Sequence, residues 1–220
     1  MHLIFDLDGT LVDSRPGILK SLKTAVQRTL PEINLELFNF KIGPPVREML
    51  RIGLKTVSEA ELDSLEAAFR VAYDGGDWKL TVVYPDVVET LVELTLRGIS
   101  CYVVTNKPAQ ASTRILTRLG LAPYFDEVLS PDSRQPKFSN KAEMLGKLLE
   151  DRAITVNQAS YAGDSVDDFY AAEQCGIGFI GIEYGYGNIP KQETRLWRVR
   201  SFNELLSVPN NYYSQDGVSL

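Results

Sequence analysis

The sequence predicts an α/β fold, a doubly wound parallel sheet interrupted near its start by an all-helical insertion. Three observations carry this expectation. The apolar run Leu3-Ile4-Phe5 ends at Asp6 and reads as a short buried strand. Residues 15–80 show helical stripes and no strand pattern. From Tyr84 onward, strand and helix patterns alternate over short links, which is how a parallel sheet is written.

Taken in order, Ile18, Leu22, Ala25, Val26 and Thr29 recur near the helical period over 16–30, with Pro16 suited to a first turn. Val46, Met49, Leu50 and Leu54 form a second stripe, and Leu62, Leu65, Phe69, Ala72 and Tyr73 a third. After Tyr84-Pro85-Asp86 the spacing predicts a helix over 86–97, closed by Gly98, and then a strand over 99–104. A helix over 109–119 stops at Gly120, a usual C-terminal cap. A short strand follows over 125–129. A helix over 141–151 is capped by Asn140, with Glu143 three residues on to complete a capping box. Residues 159–162 read as a strand, 167–174 as a helix and 177–182 as a strand. The expected organisation is an α/β core from 1–14 and 81–208, a helical insertion over 15–80, and a polar, flexible tail at 209–220.

Composition narrows the chemistry. The 220 residues are 44% apolar and 24% charged, as expected of a globular chain able to bury a core without disulfide or metal staples. No apolar run approaches the roughly 20 residues that span a bilayer, and the acid at position 6 comes too early for a signal peptide. The net charge of −6 and the lack of a basic cluster argue against nucleic acid as a partner. Two cysteines without spacing logic, Cys101 and Cys175, suggest buried thiols in a reducing, cytoplasmic setting. His2 is the single histidine, so Ser-His-Asp, Cys-His and histidine-rich zinc chemistry are excluded, leaving carboxylates, lysine and metal-bound water.

Open α/β sheets bind ligands beyond the carboxyl ends of their strands. Four such ends carry polar residues of one chemical theme. Asp6-Leu7-Asp8-Gly9-Thr10 puts two carboxylates after the first strand, one able to attack phosphorus and one able to handle protons. Both lie beside a place for a hard cation, and Gly9 permits a sharp turn. Thr105-Asn106-Lys107 offers a hydroxyl and an amide to phosphoryl oxygens. Lys141, with Lys137 as competitor, can neutralise crowded carboxylates. Gly163-Asp164-Ser165-Val166-Asp167-Asp168 sets three acids within five residues at a strand end, an arrangement that calls for a cation such as Mg²⁺ or for solvent. Taken alone, the sets read as an acidic turn, a polar loop, surface lysines and an acidic helix start. Their shared theme favours a site.

In order, spacing and strand-end placement, these four sets resemble the haloacid dehalogenase superfamily over about 3–207. The helical insertion looks like that family's cap. Ile42-Gly43-Pro44-Pro45-Val46-Arg47, Tyr84-Pro85-Asp86-Val87 and Gly185-Tyr186-Gly187 are similar to its phosphoglycolate phosphatase-like members. The resemblance implies a Mg²⁺-dependent phosphomonoesterase acting on a small phosphorylated metabolite. Asp6 would become an aspartyl-phosphate, and Asp8 would protonate the leaving oxygen and then deprotonate water. Mg²⁺ would be held by Asp6, the carbonyl of Asp8 and Asp164, while Asp168 binds metal waters or orients Lys141. Thr105 and Asn106 would hold the phosphoryl group, and Arg47 of the cap would grip a second anion on the substrate. The family's usual Lys-Pro-x-Pro is absent. Lys141-Ala142-Glu143 resembles another family variant, which favours Lys141 over Lys137. Asp86 stands where a glycine is common, a change expected to affect a turn and not the chemistry.

Further expectations are a chain free of membrane and nucleic acid, working as a monomer or homodimer. Within the family, a sugar-phosphate phosphatase, a pyrophosphatase and a phosphomutase fit the same motifs. A receiver-like phospho-accepting domain is disfavoured, because receivers place the acid pair on another strand and lack a helical insert.

Overall fold

The computed structural model describes residues 1–34, 40, 42–190 and 196–208; the tail expected at 209–220 lies outside them. The chain divides into two compact units, Met1–Val12 with Val83–Leu220, and Asp13–Val82.

The first unit is a six-stranded sheet. Its strands are β1 (His2–Phe5), β4 (Ser100–Val104), β5 (Glu127–Leu129), β6 (Ala159–Gly163), β7 (Gly178–Ile182) and β8 (Leu196–Val199), ordered β5-β4-β1-β6-β7-β8. Every neighbouring pair is parallel, with Ile4 beside Tyr102 on one side and Tyr161 on the other. The chain runs outward from β1 to β4 and β5, then returns to the far side of β1 for β6, β7 and β8. The order therefore reverses at β1, and the crevice at such a switch point is where this fold binds ligands. The helices of this unit are α4 (Val87–Leu96), α5 (Ala109–Arg118), α6 (Lys141–Asp151) and α7 (Val166–Gln174).

Leu3, Ile4 and Phe5 are all fully buried, as a strand covered on both faces requires. Ile4 joins Tyr102, Tyr161, Met144 and Leu145 in one core cluster. Phe5 packs against Phe125 edge-on and against Phe202 at a tilt, at ring separations of 6.2 and 5.6 Å. Full burial of each such side chain is worth about 1.5–3 kcal/mol, so β1 and the acid that ends it are firmly seated.

The elements follow the sequence reading to within two residues at their ends, with three differences. Strand β8 was not foreseen: Leu196-Trp197-Arg198-Val199 is short, and only Val199 is fully buried, so its pattern is weak. Two-residue strands, β2 (Val12–Asp13) and β3 (Val82–Val83), stand where the chain passes between the units. The capping box expected at Asn140 is half formed. Asn140 accepts the Glu143 N–H at 2.8 Å, but the Glu143 carboxylate turns to the N–H of Ser139 and to Arg134. Full boxes occur instead at Ser58/Glu61 and Ser165/Asp168.

The second unit is helical: α1 (Arg15–Thr29), α2 (Val46–Leu54) and α3 (Glu59–Gly75), closed by a 3₁₀ turn at Asp77–Leu80. The three apolar stripes face inward, with Leu22, Leu50, Leu62 and Leu65 at or near zero exposure. No helix among the described residues is long and apolar enough to cross a membrane.

Candidate active site

Asp6 is the first residue past β1, held there by its N–H bond to the carbonyl of Ala162 at 2.9 Å. Its side chain meets those of Asp164 and Asp168, the latter on the first turn of α7. One carboxylate oxygen from each of the three lies within 4.8 Å of the others, and all three residues are buried. Lys141, first residue of α6 and also buried, inserts its ammonium among them. It hydrogen-bonds Asp168 and lies 3.3 Å from Asp6 Oδ1, too poorly aligned for a hydrogen bond. Lys137 is exposed.

Two neighbouring glycines make this crowding sterically feasible. Gly9 has φ +85°, a conformation glycine adopts freely, and a Cβ there would overlap the Asp164 carboxylate. A Cβ at Gly185 would do the same.

Asp168 is fully satisfied. Oδ1 accepts from Lys141 and from the Tyr161 hydroxyl at 3.2 Å. Oδ2 accepts from the N–H and hydroxyl of Ser165 at 3.0 and 2.7 Å. Asp164 Oδ2 accepts the N–H groups of Tyr186 and Gly187 at 2.9 and 2.8 Å. These two donors and Tyr161 are contributors that the sequence reading missed. Gly185-Tyr186-Gly187 stood out there only as a likeness, because nothing local ties a loop after β7 to an acid 22 residues earlier.

The charges do not balance. Three carboxylates face one ammonium. Burial pushes the Asp6 carboxyl up to about 8; Lys141 opposes this, while Asp168, Asp164 and Asp8 add to it. Burial, reinforced by Asp168, takes Asp164 to about 6, against the two backbone N–H donors. Burial pulls the Lys141 ammonium down, but Asp168 and Asp6 outweigh it and leave it above the ordinary lysine range. A buried carboxylate oxygen without a hydrogen bond, glycines in place of side chains and an excess of hard oxygen donors together fit a divalent cation such as Mg²⁺.

Around this centre lie the remaining candidates. Thr105 is buried at the end of β4, its hydroxyl accepting the Lys107 N–H at 3.2 Å. Asn106 is exposed and donates its amide to Asp167 at 2.9 Å. The Asp8 carboxylate is held by Lys107, whose ammonium lies 2.8 and 3.1 Å from its two oxygens. Lys107 is buried, and the sequence reading gave it no role.

Arg47 belongs to the helical unit. Its guanidinium donates to Glu59 and Asp63 at 2.7 Å each and to Glu66 at 3.3 Å. These acids, Glu59 foremost, raise it further above its ordinary value. Three carboxylates around one guanidinium leave a locally negative patch. This counts against the expectation that Arg47 grips an anion, and its observed contacts tie α2 to α3.

The model of the haloacid dehalogenase-like hydrolases matches residues 3–182. Among curated relatives, a phosphoglycolate phosphatase of Vibrio parahaemolyticus is 32% identical over 194 residues, covering 84% of this chain and 85% of the relative. One of Pasteurella multocida is 31% identical over 215 residues, covering 93% and 96%. Among solved structures, a predicted phosphoglycolate phosphatase from Haemophilus somnus superposes with TM-score 0.79 at 29% identity, covering 94% of this chain and 96% of that one.

Proposed function

Because the chain belongs to the haloacid dehalogenase-like hydrolases and is a phosphatase, we propose that it hydrolyses a small phosphomonoester, 2-phosphoglycolate foremost, with Asp6 as covalent nucleophile. The observation that carries the proposal is the Asp6 carboxylate: seated at the switch point of the sheet, flanked by Lys141, with one buried oxygen lacking a hydrogen bond. The substrate class is supported by the names of the two curated relatives.

Asp6, the carbonyl of Asp8 and Asp164 would hold Mg²⁺, with Asp168 in support. The cation, when bound, supplies the positive charge that three carboxylates and a dianionic phosphoryl group demand. In the first step a carboxylate oxygen of Asp6 forms a bond to phosphorus as the ester P–O bond breaks, and Asp8 gives its proton to the departing oxygen. In the second, water attacks phosphorus, Asp8 takes its proton, and the Asp6 carboxylate is released. The products are the alcohol and inorganic phosphate. Thr105 and Asn106 would orient the phosphoryl oxygens, Asn106 by exchanging Asp167 for the substrate. Gly9 would give the backbone its close approach. Lys141 both steadies Asp168 and offsets charge beside Asp6. The helical unit is assigned the part of a cap, and two free thiols accord with a reducing cytoplasm.

With p-nitrophenyl phosphate, EDTA should stop turnover, Mg²⁺ should restore it, and Asp6→Asn should lower kcat by roughly 10³-fold or more. Metal-independent turnover, or an Asp6→Asn variant near normal, would sink this reading.

A further inference from the structure

Lys107 is an ammonium that the scheme above leaves unused. Its backbone is fixed: the N–H donates to Thr105 Oγ1 at 3.2 Å, and its carbonyl accepts from Ser112 Oγ at 3.4 Å. Its side chain is 6% exposed and that of Asp8 22%, so the cation is the more enclosed partner of the pair and the carboxylate the more open one. The ammonium is thus presented at a set place beside the group that exchanges a proton with the leaving oxygen.

Resting on the role proposed for Asp8, we infer that Lys107 is the specificity-determining residue for phosphoesters whose leaving group carries a carboxylate one carbon from the ester oxygen, the phosphorylated 2-hydroxy acids. The argument is one of reach. The leaving oxygen must come within hydrogen-bond distance of Asp8. A group one carbon beyond that oxygen then comes close to whatever Asp8 itself is bound to, and that is Lys107 Nζ, within 3.1 Å of both Asp8 oxygens. An ammonium carries three donors and can bridge two carboxylates at once. The other basic candidates stand elsewhere: Arg47 against three acids of its own unit, and Lys141 beside Asp6 and Asp168. A neutral leaving group would gain nothing from Lys107.

The test compares kcat/KM for 2-phosphoglycolate with that for ethyl phosphate, which has a methyl in place of the carboxylate. Both are measured with Mg²⁺ in the wild type, Lys107→Met and Lys107→Arg. The wild type should prefer 2-phosphoglycolate. The preference should fall roughly tenfold or more in Lys107→Met, chiefly through KM, as expected for losing a hydrogen bond between charged groups. Lys107→Arg, which keeps the charge, should retain more of the preference, and with the wild-type ratio it decides the matter if Lys107→Met does not fold. Equal efficiency on both esters in the wild type, or a preference unchanged in Lys107→Met, overturns the inference and leaves phosphomonoester hydrolysis through Asp6 standing. No hydrolysis of either ester or of p-nitrophenyl phosphate overturns both.

Discussion

At the scale of single residues, the acid that makes the site useful also makes the chain costly to fold without a cation. Burial raises Asp6 from 3.8 to about 8 and Asp164 from 3.8 to about 6. Both folded values exceed the unfolded ones, so the native state holds protons that the unfolded chain has released. Stability from these groups is therefore present at low pH and is lost as pH rises through about 6 and then about 8. In EDTA, the urea midpoint should fall between pH 5 and pH 8, by an amount equivalent to roughly 5 kcal/mol. Asp6→Asn should flatten the decline, and Mg²⁺ should lift its upper end by binding only the folded chain. A midpoint that is flat or rises over this window in the metal-stripped wild type would contradict this electrostatic picture.

The same scale shows what could be read from the sequence. Asp6, Asp164, Asp168 and Lys141 were legible as a set, because each sits at the end of a strand or the start of a helix whose pattern is plain. Lys107 was visible as the third residue of Thr105-Asn106-Lys107, but its pairing with Asp8 spans 99 positions and depends on β1 and β4 lying side by side. Tyr161 was hidden in the strand Ala159–Gly163, where a tyrosine reads as core. Only its hydroxyl bonds to Val104 and Asp168 mark it out.

At the scale of elements, strong periodicity translated directly into structure, while ends and edges did not. Helix α6 runs Lys141–Asp151 as spaced, whereas β8 at the sheet edge, half-exposed along most of its length, had no pattern strong enough to announce it. Caps are subtler still: Glu143 accepts from Ser139 and Arg134 in place of the N–H of the capping Asn140. Asp86, standing before α4 where glycine is common in the family it resembles, has φ +63° and makes no side-chain cap bond. A left-handed conformation costs a residue with a Cβ roughly 1–2 kcal/mol, somewhat less for aspartate. Asp86→Gly should therefore raise stability by about 0.5–1 kcal/mol and leave kcat/KM unchanged. A loss of stability in thermal melts would show that the aspartate holds the turn by some other means.

At the scale of the whole molecule, the decisive feature is that a sheet wound in both directions brings distant segments to one rim. Positions 6, 105 and 164 fall just after β1, β4 and β6, and 141 and 168 in the first turns of α6 and α7; a fold with another strand order would scatter them. The helical unit was equally legible as a unit, since its stripes have one period throughout. What its surface contacts was not, because a half-buried arginine such as Arg47 is a substrate grip or an ion pair within the unit according to neighbours 12 to 19 residues away.

The most direct measurement is a rapid acid quench of enzyme, Mg²⁺ and 2-phosphoglycolate, followed by mass analysis of the peptide spanning the N-terminal strand. One phosphoryl group should appear on Asp6 within the first turnover and decay as substrate runs out, and it should be absent from Asp6→Asn. Turnover with that peptide unmodified throughout, or with the phosphoryl group on another residue, would contradict the account.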